Sequence, residues 1–254
     1  MNRRDMLKQT GLLGMLLAAG PALGEGPEAA SAAGPKRKIL VAGAHPDDPE
    51  LGCGGTIHLL VRAGHDVLVY YMTRGGAGIP DLPPERAREV RMREAQAACK
   101  ILGARCVFGN QRDGDTHVDR RAYAEILQFV EKEAPDLVFT HWPIDTHPDH
   151  RACALLFYNA WLNSSRHFDL YYYEVATGHE TQGFRPEIYV DITEVAEVKH
   201  RACFAHRSQK LQEGYARHHG LIEAFRGRTN YTGLAEAFAQ QAPNRANELV
   251  KLVR

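Results

Sequence analysis

Two short segments carry residues able to do metal-dependent acid–base chemistry. The first is Ala44-His45-Pro46-Asp47-Asp48-Pro49-Glu50-Leu51-Gly52-Cys53-Gly54-Gly55-Thr56, directly after an apolar run from Lys38 to Gly43. The second, Asp145-Thr146-His147-Pro148-Asp149-His150-Arg151, follows another apolar run, Leu137 to Thr140. Both lie at the C-terminal end of an expected strand, the end at which open α/β sheets bind ligands. A site assembled there combines imidazoles and carboxylates with no thiolate, a donor set suited to a catalytic zinc with an open position. Such a zinc lowers the pKa of a water towards about 7. A carboxylate free of the metal must then take the proton, and an imidazole must meet the oxygen of the intermediate or the leaving group. His45, Asp48 and His150 suit ligation, Asp47 the base, and His147 the acid or oxyanion partner. Asp149 is placed to hold the tautomer of His147 and raise its pKa. Spacing shows that suitable groups are present; it does not assign the roles.

The elements that must position these groups alternate in period. Lys38 to Gly43 reads as a buried strand, Gly55 to Ala63 as a helix ended by Gly64, and Val67 to Met72 as a second strand. Pro84 opens a helix that reaches about Leu102 and stops at Gly103, with proline at the start and glycine at the end. Cys106 to Phe108 is a brief strand, Arg121 to Glu133 a helix broken by Pro135, and Leu137 to Thr140 a fourth strand. A helix over about Asp149 to Asn163 and strands at Leu170 to Val175 and Ile188 to Val190 follow, and the remainder reads as helical. Strands separated by helices imply parallel pairing with right-handed crossovers. The expectation is one doubly wound α/β domain over residues 33–254, with a mostly parallel sheet and helices on both faces. In a 3-2-1-4-5 strand order the two chemical loops would face each other, and the polar connections 74–83, 109–118 and 176–186 would form the rim.

The run His45-Pro46-Asp47-Asp48-x-Glu50 with Gly52, Gly54, Gly55 and Thr56, paired with His147-Pro148-Asp149-His150, resembles the LmbE/PIG-L family of zinc-dependent N-deacetylases. The similarity extends over most of residues 38–210, including Val190-Asp191-Ile192 and His206-Arg207-Ser208-Gln209. It implies a Rossmann-like fold and removal of acetyl groups, mainly from N-acetylglucosamine units of glycoconjugates. By this resemblance His45, Asp48 and His150 match the zinc ligands and Asp47 the general base. His147 matches the residue that stabilises or protonates the reacting centre, with Asp149 as its modulator, and Arg91 matches an arginine used towards substrate. Some family members carry tyrosine where this chain has Asp145, so Asp145 stands as a substrate-side candidate in place of a phenol.

Each motif has a plainer reading. Pro46 and Asp47 also serve turn geometry. The glycines allow a tight turn and close helix-to-strand approach, and neither GxGxxG nor a P-loop lysine accompanies them. Arg86, Arg88, Arg91 and Arg93 share a helix with Glu85, Glu89 and Glu94, the pattern of a solvated ion-paired face. Arg112 and Asp113 lie in a rim loop where polar residues are common, with gripping of sugar hydroxyls the functional reading for Asp113. Glu50 reads as a carboxylate behind the ligands, His141 as either pocket or hydrogen-bonded wall. His58, His218 and His219 read as surface or satisfied histidines.

Lys plus Arg and Asp plus Glu both number 31, giving a formal net charge of +0. No basic block offsets that balance, which excludes a nucleic-acid binder relying on bulk charge. The 5 cysteines are odd in number and scattered without CxxC, so neither a disulfide framework nor a cysteine zinc site is encoded. Residues 1–32 combine Arg3-Arg4, the apolar run Gly11 to Gly20 and a small-residue zone, and resemble a twin-arginine export signal with cleavage after Gly24 or Ala32. That apolar run is too short to span a bilayer, so the mature protein is expected to be secreted or periplasmic, without an integral span; oligomers are compatible with everything above. The expected partner is a small amino sugar or glycoconjugate. An exported carbohydrate-binding protein without turnover, and a zinc esterase or amidase on non-sugar substrates, are the rival readings. An N/O site also accepts iron or another divalent metal.

Overall fold

A computed structural model of the chain describes residues 35–242 and 252–253. The segment read as an export signal lies outside the described residues. Within them, one seven-stranded sheet has the order β3-β2-β1-β4-β5-β7-β6. Strands β1 (Lys38–Gly43), β2 (Asp66–Thr73), β3 (Arg105–Gln111), β4 (Leu137–His141) and β5 (Asp169–Tyr173) run parallel. β7 (Ala235–Gln240) is antiparallel to both β5 and β6 (Ile188–Asp191). The 3-2-1-4-5 arrangement is therefore present, with Leu40 of β1 opposite Val138 of β4. The two loops bearing histidine and aspartate leave adjacent strands.

β1 divides its side chains between two cores. Ile39 and Val41 pack with Cys53 and Ile57 of α1 (Asp48–Arg62) and Ala95 of α2 (Pro84–Leu102). Leu40 and Ala42 pack with Ile126 of α3 (Arg120–Glu133) and Leu156 of α4 (Pro148–Asn163). A parallel strand covered on both faces reads as an unbroken apolar run, as Ile39-Leu40-Val41-Ala42 does. α5 (Ala196–Phe204) joins the α1 and α2 side, and α6 (Leu211–Gly214) and α7 (His219–Thr229) follow it.

Two elements differ from the sequence expectation. α1 begins at Asp48, not at Gly55, so the glycine-rich stretch is helical. Pro49 is compatible with the first turn because its missing N–H would have no helical partner there. The glycines serve contact: a Cβ on Gly55 would stand 2.5 Å from the Ile192 side chain, and one on Gly52 would overlap the Tyr173 ring. The second difference is β7. Ala235-Glu236-Ala237-Phe238-Ala239-Gln240 carries good helix formers, yet it is a fully buried strand with a neighbour on each side. Phe238 enters one core while Ala237 and Ala239 enter the other. Two backbone ladders and burial on both faces override the local preference.

Candidate active site

The chain turns sharply between β1 and α1. Asp47 has φ 125, a value at which a side chain is strained, and Asp48 already begins the helix. Strain of this kind costs on the order of 1–3 kcal/mol and collects at functional sites. Here it lets Asp47 and Asp48 point in different directions from consecutive positions.

Asp48 forms the centre of the cluster. Its Oδ1 lies 3.3 Å from His150 Nε2, and its Oδ2 lies 3.3 Å from His45 Nδ1 and 3.1 Å from His141 Nε2. Oδ2 also accepts the His45 backbone N–H at 2.7 Å. Each of the two predicted ligand imidazoles has its outer nitrogen backed by a buried carboxylate. His45 Nε2 is 3.1 Å from Asp149 Oδ2 and 3.3 Å from Asp113 Oδ1, and His150 Nδ1 is 3.2 Å from Asp145 Oδ1. A carboxylate behind a ligand histidine fixes its orientation and raises its basicity, the arrangement that metal centres use.

Ligand atoms of His45, His147 and His150 lie within 4.8 Å of one another, as do those of Asp48, His141 and His150, and those of His45, Asp113 and Asp149. The predicted trio of His45, Asp48 and His150 is joined pairwise through Asp48. Imidazole and carboxylate donors at this density fit zinc or another borderline divalent cation. The electrostatics agree with that fit. Burial would raise the Asp48 carboxyl, but His150, His141 and His45 hold it well below its usual range. Burial would lower His150, but Asp48 and Asp145 hold it up at about 10. His45 is likewise kept high against burial by Asp48, Asp113 and Asp149.

His141 was legible only as pocket or wall; it is completely buried and stacks on His150 at 4.1 Å. Its Nε2 accepts the Ala44 N–H at 3.0 Å, which anchors the strand end from which His45 departs. Burial, with the cationic field of His150, lowers it to about 4.

Asp47 lies outside this donor cluster. Its Oδ2 is 3.2 Å from Arg91 NH2, and Arg91 also donates to the Pro46 carbonyl. Burial raises the Asp47 carboxyl, Arg91 opposes it, and Asp48 adds to the rise. Arg91, predicted to face substrate, lines the same cavity but is only 3% exposed, and its contacts are those that hold Asp47 and its loop.

Asp149 corrects the expectation placed on it. Its carboxylate faces His45, and it accepts from Gly114 N–H at 2.7 Å and Thr116 Oγ1 at 2.8 Å. What sets the tautomer of His147 is the Asp149 backbone N–H, which donates to His147 Nδ1 at 3.2 Å and leaves the proton on Nε2. The His147 pKa is lowered, first by burial and then by His45 and His150; Asp149 raises it by less. The reason is position: Asp149 lies in the first turn of α4, where its side chain swings towards the 109–118 rim. Asp145 is buried, with Oδ1 accepting the His147 N–H at 2.8 Å and Oδ2 accepting the Thr181 hydroxyl at 2.9 Å. It stands behind His150. Asp113 accepts the Ala77 N–H at 2.8 Å and faces His45.

His45, Asp47, Asp48, Arg91, Asp113, His147 and His150 line a cavity of about 410 Å³, with Asp145, Asp149 and His141 behind its wall, and all three expected rim connections contribute to it through Ala77, Asp113 and Glu180. A larger groove of about 960 Å³ between α2 and α5 contains none of the predicted site residues. Glu50 is buried away from the cavity, accepting the Tyr71 hydroxyl and 3.4 Å from His206 Nε2. Sequence reasoning missed Glu180, Gln209 and His219 as cavity residues. Glu180 lies in the expected 176–186 rim and Gln209 in the His206-Arg207-Ser208-Gln209 run, but neither was singled out as a residue, and His219 was read as surface or satisfied.

The protein is a doubly wound α/β protein whose switch point gathers imidazoles and carboxylates able to hold a metal ion. Residues 40–161 match the family described as PIG-L, GlcNAc-PI de-N-acetylase. The chain is 32% identical over 188 residues to diacetylchitobiose deacetylase of Thermococcus kodakarensis, a match spanning 68% of this chain and 70% of that protein. Among solved structures, the N,N'-diacetylchitobiose deacetylase of Pyrococcus horikoshii has a TM-score of 0.74 at 26% identity, covering 84% of this chain and 88% of that one. The 4-carboxy-2-hydroxymuconate hydratase GalB of Pseudomonas putida shares the fold, with a TM-score of 0.72 at 21% identity over 83% of this chain and 98% of that one. The chain belongs to the PIG-L (LmbE-like) family of de-N-acetylases.

Proposed function

We propose that the protein removes an N-acetyl group from an amino sugar or an N-acetylglucosamine-containing glycoconjugate, with zinc as its metal. The observation that carries this reading is Asp48 set between two histidines, each backed by a carboxylate, beside an Asp47 that faces the same cavity from outside the donor cluster. The diacetylchitobiose deacetylases among its relatives support the substrate class.

His45, Asp48 and His150 would hold the zinc, which when bound polarises the acetamide carbonyl and lowers the pKa of the attacking water. Asp47 takes that water's proton. Burial lifts its carboxyl towards a useful basicity while Arg91 keeps it oriented and ionised. His147 presents Nε2–H to the carbonyl oxygen as negative charge develops there. The departing amine takes its proton from Asp47 or His147. Asp113 and Arg91 line the same cavity. Export through the twin-arginine route is part of the same proposal and rests on the Asn2 to Lys8 segment. No helix among the described residues is long and apolar enough to cross a membrane.

The test is acetate and amine release by the zinc-loaded protein on a panel of N-acetylglucosamine conjugates, with Asp47→Asn as control. Amine release that the substitution abolishes is the expected result. Sugar binding without amine release would replace the enzyme reading with a carbohydrate-binding one, and acetate plus alcohol from O-acetylated sugars added to the panel, with no amine release, would make the protein an esterase.

A further inference from the structure

We propose that Glu180 is a substrate-binding residue whose carboxylate accepts hydrogen bonds from hydroxyls of the sugar ring that carries the acetamide. The inference rests on the deacetylase reading and names how that substrate is recognised.

The position of Glu180 is set by backbone. Ala176 adopts φ 47, the Glu180 N–H donates to the Ala176 carbonyl at 2.8 Å, and the Thr146 N–H donates to the Glu180 carbonyl at 3.0 Å. The next residue, Thr181, bridges to Asp145. The turn after β5 is thus tied to the β4–α4 loop that carries His147 and leads into His150 of α4. Glu180 is half-buried and its side chain lines the cavity with His45, Asp47 and His150.

The other carboxylates lining that cavity are engaged by the protein itself. Asp47 has Arg91, Asp48 has three imidazoles, and Asp113 has the Ala77 N–H and His45. The Glu180 carboxylate makes no hydrogen bond or ion pair with the described residues. Burial pushes its pKa up, and Asp48, Asp145 and Asp47 add to the rise while His150 opposes it. A partly desolvated acceptor without donors is costly, and a ligand that brings donors recovers that cost. An N-acetylated sugar ring is uncharged and offers as donors its acetamide N–H and its hydroxyls, and an ionised carboxylate can accept from two hydroxyls at once.

The experiment compares the zinc-loaded wild type with Glu180→Gln, using calorimetric binding of a soluble N-acetylglucosamine disaccharide, steady-state acetate release and zinc affinity. The expected result is a Kd and KM raised about 10- to 100-fold, the worth of a hydrogen bond to a charged group, with kcat and zinc affinity unchanged. On N-cyclohexylacetamide, which keeps the ring and acetamide but has no hydroxyls, the two proteins should show equal kcat/KM. Unchanged sugar Kd in Glu180→Gln, a fall in kcat at constant KM, loss of zinc, or a wild type that binds no sugar would each overturn the assignment. Sugar binding that depends on Glu180 in a protein that releases no acetate would sink the deacetylase reading and leave this one standing.

Discussion

Around the cavity, the loops after β1 and β4 turn through Pro46, the strained Asp47 and Pro148, and single charged groups pin their backbone, Arg91 at Pro46 and Asp145 at His147. The β5–β7–β6 edge is fastened to α1 by a connected network of ionised side chains. Lys199 Nζ is fully buried at 2.8 Å from Glu223 and 2.7 Å from Glu236. Glu236 accepts the Gly55 and Thr56 N–H groups at 2.9 and 2.8 Å, and Glu223 accepts the Tyr215 hydroxyl at 2.6 Å and faces His200 Nε2 at 2.9 Å. Both regions are rich in buried charge. In the fastening every oxygen named has a protein partner, whereas in the cavity Asp47 has Arg91 alone and Glu180 has no hydrogen bond or ion pair with the described residues. Full mutual satisfaction marks charge that holds the fold; incomplete satisfaction beside a cavity marks charge kept for a ligand.

Asp47→Asn lowers kcat by about 10²–10⁴-fold, the range for a positioned general base, with zinc content at the wild-type value and a loss of urea stability well below that of Lys199→Met. Steady-state kinetics with metal analysis checks this, and a Tm collapse would move Asp47 into the fastening class. Lys199→Met does the converse. It strands two buried carboxylates and is expected to cost about 3–5 kcal/mol in urea unfolding, with kcat of the folded fraction preserved. A cost below about 1 kcal/mol, the value of an exposed pair, would break the contrast.

Asp145→Asn sharpens the contrast within the cavity. With its carboxylate behind His150 made neutral, zinc affinity in a chelator competition should fall about 10- to 100-fold, and kcat at saturating zinc should change less. The smallest effect concerns His219, whose pKa is lowered to about 4, first by burial and then by Lys199. Between its ordinary value of 6.5 and about 4 the unfolded chain binds a proton that the folded protein refuses. This contribution to stability is therefore complete above 6.5 and is lost as pH falls towards 4. His219→Gln should flatten the stability profile across that window and leave it unchanged at pH 8.

Much of the parallel sheet was readable because its strands are short apolar runs punctuated by proline and glycine. Pro84 and Gly103 bounded α2 as expected, with Gly103 left-handed at φ 82. The donor residues were readable because they are close in sequence and chemically unusual. Errors arose where local preference lost to packing. The helix read from Gly55 starts at Asp48, and Gly52 and Gly55 lie inside it because Tyr173 and Ile192 leave no room for a side chain there. Asp149 seemed a partner for His147 because the two are near in sequence, but its carboxylate meets His45, 104 residues away.

By itself the sequence determined the doubly wound class, the two loops that carry the chemistry and the kinds of donor they bring, since periodicity and residue type are local properties. The tertiary structure alone decided which carboxylate stands behind which histidine, that β7 enters the sheet, and that Glu180 and His219 reach the cavity. Those outcomes depend on distances between segments far apart in the chain, and such distances are set by the packing of the whole core.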